Sequence, residues 1–140
     1  MRVELIILFV AAMSAVPCAM SADEKAVPSA AKPAPKVKRV DVDEFDKLRA
    51  NKENVVLDVR TEREFKAGHI PGAVNIDANA ADFDEKVAKL DKNKTYLVHC
   101  AAGGRSARAC KKMEGVGFKE LYDLAPGFNG WQKAGKAVEK

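Results

Sequence analysis

Two short apolar runs limit the folds open to this chain more than any other feature of its sequence. NVVLDVR at residues 54–60 and TYLVHC at residues 95–100 each hold consecutive β-branched or aromatic residues. Such runs are typical of strands buried on both faces of a sheet. Short helical patterns separate and flank them. This order predicts an α/β fold with three layers, in which helices flank a mostly parallel central sheet.

The segments around these two runs supply the remaining predicted elements. Asp41 or Asp43 is the predicted N-cap of the first helix, and Thr61 with Glu64 forms the predicted capping box of a helical turn that ends at Gly68. Further strands are predicted at residues 37–41, at residues up to 76 after a turn at 71–72, and at residues 120–125. Helices are predicted within residues 41–52, 61–68, 81–90, 105–117 and 126–135.

The first 22 residues differ in composition from the rest of the chain. LIILFVAAMSAV, residues 5–16, is too short to span a bilayer as a helix and has the length of a signal-peptide core. Small residues follow and predict cleavage after Ser21 or Ala22. We therefore predict a signal peptide at residues 1–22 and an exported protein, periplasmic or secreted, without stable membrane contact after cleavage. An uncleaved anchor and lipidation at Cys18 are the alternatives.

The residues after the predicted signal peptide, the net charge and the cysteines bear on the domain organisation and on the possible partners. Residues 23–37 hold three prolines among alanines and lysines without hydrophobic periodicity, which predicts a disordered linker before a single folded domain at residues 38–140. The net charge of +4 is mild and dispersed, and it predicts no nucleic-acid partner. Cys18, Cys100 and Cys110 form no disulfide framework, and no spacing of Cys and His residues predicts a metal site.

The segment VHCAAGGRSARA, residues 98–109, places a thiol at the end of the second buried strand. Gly103 and Gly104 permit a tight turn whose backbone N–H groups face inward as an anion-binding nest. A helix from Ser106 onward adds its positive N-terminal end, and Arg105 adds a full charge. These surroundings lower the pKa of a thiol, so the pattern predicts that Cys100 is an activated nucleophile.

Three segments resemble those of the rhodanese (thiosulfate sulfurtransferase) family. VVLDVRTEREFKAGHIPGAVNI resembles its first signature, TYLVHCAAGGRSARA its active-site segment, and LAPGFNGWQKAG its closing segment. The resemblance covers about residues 38–135, which is nearly all of the predicted domain. The compact, single-domain, exported members of the family are the most similar. The resemblance therefore implies a rhodanese-like fold.

The resemblance also implies a reaction. Cys100 takes a sulfane sulfur from thiosulfate or a related small anionic donor, becomes a persulfide, and passes the sulfur to a small thiophilic acceptor such as cyanide or a thiol. No metal and no organic cofactor is implied. Arg105 orients the donor, and Asp58 is a supporting residue near the loop on the neighbouring strand, with its role left open. The implied substrate-binding residues are those of the loop and the first helical turn: Ala101, Ala102, Gly103, Gly104, Arg105 and Ser106.

One departure from the family pattern and two alternative functions remain. Ala101 stands where many members have a cation or a large polar residue, which predicts modest affinity for thiosulfate and leaves a persulfide or polysulfide as another donor. A phosphatase or arsenate reductase of related fold has five residues between cysteine and arginine, whereas four separate Cys100 from Arg105. A non-catalytic persulfide carrier is the second alternative.

The other chemically notable residues are predicted to be structural. Strand alternation places the His99 side chain opposite to that of Cys100. Cys110 falls on the apolar face of its helix and is a predicted core residue, with a resolving role toward Cys100 as the alternative. Arg60 and Glu64 are predicted to form an ion pair. Structural roles are also predicted for His69, Phe128 and Trp131.

Overall fold

The computed structural model describes residues 37–140, and its centre is a sheet of five parallel strands in the order β1-β5-β4-β2-β3. The strands are β1 Val37–Val40, β2 Val55–Asp58, β3 Val74–Asn75, β4 Thr95–His99 and β5 Glu120–Leu124. The helices are α1 Val42–Arg49, α2 Glu62–Ala67, α3 Phe83–Ala88, α4 Gly104–Gly115 and α5 Gly127–Lys133. The predicted α/β fold with a parallel sheet is confirmed.

The predicted signal peptide and nearly all of the predicted linker lie outside the described residues, and both stay predictions. Val37, which the sequence placed at the end of the linker, pairs with Leu121 as the first residue of β1. Within residues 37–140, no helix has the length and apolar character needed to cross a membrane.

Two apolar clusters, one on each face of the sheet, make up the core. One cluster joins the sheet to α3 and α4 and includes Phe83, Cys100 and Met113. The other joins the sheet to α1 and α5 and includes Phe45 and Trp131. Helices therefore cover both faces of the sheet, and the two central strands β2 and β4 are largely apolar and buried because neither of their faces meets water. This is the predicted three-layer arrangement.

The parallel register brings several polar side chains to one edge of the sheet. Asp58 is aligned with His99 across the β2–β4 pair, and Val98 is aligned with Asp123 across the β4–β5 pair. The carboxyl ends of these three strands thus lie side by side, where ligands of open α/β sheets bind. Cys100, directly after β4, lies at the centre of this edge.

The helix boundaries follow local capping chemistry. The Asp41 carboxylate accepts a hydrogen bond of 2.8 Å from the Glu44 N–H, and Thr61 with Glu64 forms a complete capping box. Both predicted caps are confirmed. One boundary differs from the prediction: α4 begins at Gly104, ahead of the predicted start at Arg105 or Ser106. Gly103 already adopts the left-handed conformation that closes the turn, so the helix starts directly after it.

Candidate active site

The loop after β4 folds back over the side chain of its first residue. Cys100 is 2% exposed, and the Gly103 N–H lies 3.1 Å from its Sγ in hydrogen-bonding geometry. Gly103 has a φ of +94°, and a Cβ at this position would collide with the carbonyl oxygen of Ala125. Only glycine satisfies both conditions. The loop conformation that directs backbone N–H groups at the sulfur therefore depends on Gly103.

The N-terminus of α5 holds the same loop from outside. The Phe128 N–H donates to the Cys100 carbonyl at 2.7 Å, and the Asn129 N–H donates to the Ala101 carbonyl at 3.0 Å. In a trans peptide the carbonyl and the following N–H point in opposite directions. Because these two carbonyls point outward to α5, the N–H groups of Ala101 and Ala102 are directed inward. The inward-facing amides of the loop are thus fixed by a helix that is remote in sequence.

The thiol lies in an electrostatic environment that favours its ionised form. Burial raises the pKa of Cys100, but the backbone N–H and hydroxyl of Ser106 and the backbone N–H groups of Ala102 and Gly103 lower it by more. The resulting pKa is below the ordinary value for cysteine. Ser106 lies in the first turn of α4, where the helix dipole acts in the same direction. The site can therefore hold a thiolate and a second anionic sulfur attached to it.

Arg105 is bound to a carboxylate rather than left free at the mouth of the loop. Its two terminal nitrogens, Nη1 and Nη2, lie 2.8 Å from Oε2 and Oε1 of Glu64. This bidentate pair with Arg105, reinforced by hydrogen bonds from Thr61, lowers the pKa of Glu64 to about 2 even though burial opposes the shift. The pair joins the first turn of α4 to α2 and neutralises the nearest guanidinium.

The predicted ion pair between Arg60 and Glu64 was therefore wrong. Arg60 instead binds Asp58, with Nη2 at 2.7 Å from Oδ2, and it donates to the Gly68 carbonyl at 2.7 Å. The capping box turns Glu64 toward α4, whereas the guanidinium of Arg60 folds back over the end of its own strand. Arg60 also lies 4.1 Å from the centre of the Phe128 ring.

Asp58, predicted to support the loop, is linked to it through Arg60 and Phe128 rather than by a side-chain hydrogen bond of its own among the described residues. Its carboxylate is fully buried, and Arg60 occupies both oxygens through its backbone N–H and its guanidinium. Arg60 packs on Phe128, the residue whose N–H holds the Cys100 carbonyl. His99 Nε2 lies 3.7 Å from Asp58, and burial lowers the pKa of this imidazole to about 4, so His99 is neutral at neutral pH.

An open cleft of about 240 Å³ lies beside the loop. Among the described residues that line it, Arg60 is the one cation and is paired with Asp58, and Glu64 is paired with Arg105. The cleft therefore offers neutral amides and compensated charges rather than a free cation. The lining residues are Arg60, Glu64, Ala67, Gly68, Ala101, Phe128, Asn129 and Gln132.

The two remaining cysteine and histidine predictions agree with the structure. Cys110 is fully buried, and burial raises its pKa above the ordinary value, so it is a core residue. His99 and Cys100 contact opposite layers: the ring of His99 lies near Phe45 and Phe128, whereas Cys100 belongs to the α3–α4 cluster. Across residues 37–140 there is no group of three or more potential metal ligands.

The sequence missed the supports of the loop. Gly127, with a φ of +61°, leaves no room for a Cβ, which would lie 2.5 Å from the Ala101 oxygen. Glu64 appeared in the sequence only as a capping residue and as the predicted ion-pair partner of Arg60. The one sequence signal for the Gly127 contact was the Pro-Gly pair at residues 126–127. Such a pair before a helical pattern predicts a tight turn, where another part of the backbone can approach closely.

Fold and site together define a parallel α/β domain with a buried thiol held in an amide-lined loop. The chain belongs to the rhodanese family: the family model described as rhodanese-like domain matches residues 41–134. A putative sulfurtransferase, YtwF of Bacillus subtilis, is 37% identical over 87 residues, which cover 62% of this chain and 82% of that protein.

Two further relatives agree with this assignment. The thiosulfate sulfurtransferase GlpE of Pseudomonas savastanoi pv. phaseolicola is 37% identical over 79 residues, covering 56% of this chain and 72% of that protein. The crystal structure of a rhodanese-related protein from Thermoplasma volcanium superposes with a TM-score of 0.65 at 28% identity, covering 73% of this chain and 97% of that one. The predicted family and fold are confirmed.

Proposed function

We propose that this protein moves a sulfane sulfur from a small anionic donor to a thiophilic acceptor through a persulfide on Cys100. The observation that carries the proposal is the position of the Cys100 Sγ under the loop, with the Gly103 N–H 3.1 Å away. The N–H groups of Ala102 and Ser106 lower the pKa of the same thiol. Such donors stabilise negative charge on one sulfur and on a second sulfur bonded to it.

The transfer proceeds in two displacements. In the first, the Cys100 thiolate attacks the outer sulfur of the donor, a new S–S bond forms, and the donor's own bond to that sulfur breaks. With thiosulfate, sulfite leaves with the electron pair. In the second, cyanide or a thiolate attacks the outer sulfur of the persulfide, and Cys100 leaves as a thiolate. Each step exchanges one bond for another, so no external oxidant or reductant is needed.

The charges around the site favour a donor with little charge. Arg105, the cation predicted to orient the donor, has both of its terminal nitrogens on Glu64 at 2.8 Å. Ala101 and Ala102 add no charge of their own. A dianion such as thiosulfate would have to compete with the Glu64 carboxylate for the guanidinium. We therefore infer that an organic persulfide, whose terminal sulfur carries a single charge, is used more efficiently than thiosulfate.

The short loop disfavours phosphate chemistry. Four residues separate Cys100 from Arg105, and α4 begins at Gly104, so only three residues lie between the nucleophile and the helix. A phosphoryl or arsenate group needs donors for three oxygens around its central atom, and a ring of this size is suited to a single sulfur.

A persulfide carrier without turnover remains the other candidate function, since it uses the same cysteine. We also propose that the protein is exported, and this part of the proposal rests on the sequence alone.

Steady-state assays of the full chain test this function. We expect thiocyanate formation from cyanide with either donor, a higher kcat/KM with glutathione persulfide than with thiosulfate, and no release of p-nitrophenol from p-nitrophenyl phosphate. Cys100→Ser should abolish thiocyanate formation. Cys110→Ser is the matched control and should retain it, because Cys110 is a buried core residue.

The contradicting outcomes are distinct. Thiocyanate formation by Cys100→Ser would show that the nucleophile is another residue. Hydrolysis of the phosphate ester without thiocyanate formation would replace sulfur transfer by phosphatase activity. A single stoichiometric transfer without turnover would identify a carrier.

A further inference from the structure

A second cleft lies near the loop, on the face of the sheet that carries α3 and α4. It is enclosed by side chains of these two helices and by the segment that joins β3 to α3, and it is called the α3–α4 cleft below. Its volume is about 160 Å³. Sites that enclose a whole small-molecule ligand are larger, so this cleft has room for one end of such a molecule.

The apolar wall of the α3–α4 cleft adjoins the cluster that contains the thiol. Ala78, Phe83 and Ala109 line the cleft. All three pack in or against the apolar cluster to which Cys100 belongs. The Ala78 N–H donates to the Val59 carbonyl at 3.1 Å, which fixes this wall at the carboxyl edge of the sheet. The cleft therefore lies on the side of the sheet toward which the Cys100 side chain is directed.

The polar wall of the α3–α4 cleft is cationic. Arg105, Arg108 and Lys112 line it from positions i, i+3 and i+7 of α4, which share one face of the helix. None of the described residues that line the cleft is acidic. Two of the three cations have a partner outside it, since Arg105 binds Glu64 and the Nζ of Lys112 lies 3.2 Å from an exposed Asp84 carboxylate.

Arg108 is the cation whose charge is not compensated. Its side chain is exposed, and its guanidinium forms no ion pair or hydrogen bond within the described part of the chain. It follows Arg105 by three residues, so it lies about 5 Å further along the helix axis from the mouth of the loop. A guanidinium can bind a carboxylate through two parallel hydrogen bonds. The cleft next to α5 offers no such group, because its Arg60 is bound to Asp58.

We propose that the α3–α4 cleft binds the carboxylate end of an organic persulfide donor, with Arg108 as the cation that receives it, while the sulfur end of the donor meets Cys100. The inference rests on the proposed function and deepens it, because it specifies a donor that carries a carboxylate several bonds from its sulfur. The terminal sulfur then enters a site of compensated charge, and the remote carboxylate has a cation of its own. Phe83 and Ala109 contact the carbon chain between the two ends.

Steady-state kinetics of the full chain, with cyanide as the acceptor, test this site. The two donors are glutathione persulfide, which carries carboxylates, and 2-hydroxyethyl persulfide, which carries none. Arg108→Gln should raise KM for glutathione persulfide about fivefold and leave kcat unchanged, because an exposed ion pair contributes about this factor and contributes it equally to substrate and transition state. KM for 2-hydroxyethyl persulfide should stay unchanged.

Lys111→Gln is the matched control. Lys111 is an exposed cation next in the same helix turn, and it does not line the α3–α4 cleft. The control therefore removes an equal charge and should leave both KM values unchanged. An unchanged KM for glutathione persulfide in Arg108→Gln, or an equal rise for the two donors, would overturn the proposal. An equal rise in Lys111→Gln would also overturn it, since it would indicate general attraction by the helix surface.

A binding measurement tests the same site without the reaction. S-methylglutathione keeps the carboxylates but has no sulfur to transfer, and it is titrated into the full chain carrying Cys100→Ser while backbone amide shifts are followed by NMR. We expect saturable shifts at Arg108 and Ala109, and a Kd about fivefold higher when Arg108→Gln is added. Shifts confined to Gly68 and Asn129 beside α5, or no saturable shifts, would refute the site.

The two experiments separate a failure of the site from a failure of the proposed function. Saturable shifts in the α3–α4 cleft together with a failed thiocyanate assay would refute the reaction and support the site. Thiocyanate formation without such shifts would refute the site and support the reaction.

Discussion

Glu64 serves the loop from a helix that lies about forty residues earlier in the chain. Through its bidentate contact with Arg105 at 2.8 Å, it fixes the first turn of α4, which carries the Ser106 donors. The same contact occupies the guanidinium that would otherwise meet an anionic donor. One ion pair therefore both positions the loop and reduces the charge offered to the substrate.

The Glu64 pair should make stability depend on pH in a defined window. Because folding lowers the pKa of Glu64 from 4.5 to about 2, its stabilisation is complete above pH 4.5 and is lost as the pH falls toward 2. Glu64→Gln should cost about 1 kcal/mol at pH 7, since the pair is partly exposed. Urea unfolding should show this cost at pH 7 and little of it near pH 2.

Glu62→Gln is the matched control, since Glu62 lies on the same helix and pairs with Lys66 at the surface. We expect Glu62→Gln to shift the unfolding midpoint at pH 7 much less than Glu64→Gln does. We also expect it to leave the sulfur-transfer rate unchanged. A cost for Glu64→Gln that stays constant from pH 7 to pH 2 would contradict the assigned ion pair.

At the scale of elements, α5 functions as a clamp on the loop. Its first N–H groups hold the carbonyls of Cys100 and Ala101, and the absence of a Cβ at Gly127 lets the two backbones approach. Trp131, fully buried on the same helix, anchors α5 to the sheet through the second apolar cluster. The loop amides thus keep their inward orientation because a packed helix holds their carbonyls.

Gly127→Ala should therefore disrupt the loop as well as strain the backbone. A Cβ would meet the Ala101 and Cys100 oxygens at 2.5 and 2.7 Å, and we expect at least a tenfold loss of kcat/KM in the thiocyanate assay. Gly135→Ala is the control, because Gly135 also has a positive φ of +73° but open space around its Cβ position.

Both glycine variants should lose about 1 kcal/mol of stability from the strained backbone, measured by urea unfolding. Only Gly127→Ala should also raise the pKa of Cys100. Equal activity in the two variants would mean that α5 does not hold the loop in its reactive form.

At the scale of the whole molecule, the fold followed from local patterns and much of the site did not. The apolar runs at β2 and β4 predicted buried parallel strands, and Thr61 with Glu64 predicted a capping box, because both signals lie within a few neighbouring residues. The Arg60–Glu64 pair was inferred from the same kind of proximity, and it failed because tertiary packing gave each residue a different partner. The contact of α5 with the loop gave little signal, since Gly127 and Ala101 are remote in sequence and meet only in the folded chain.

The central claim is that the loop after β4 holds a sulfane sulfur on Cys100, and mass spectrometry of the protein after incubation with a sulfur donor tests it most directly. We predict an added mass of about 32 Da, located on the peptide that contains Cys100, and its loss on treatment with cyanide. Cys110→Ser should gain the same mass, and Cys100→Ser should gain none. A chain that stays unmodified, or one that carries the added sulfur on another residue, would contradict the proposed mechanism.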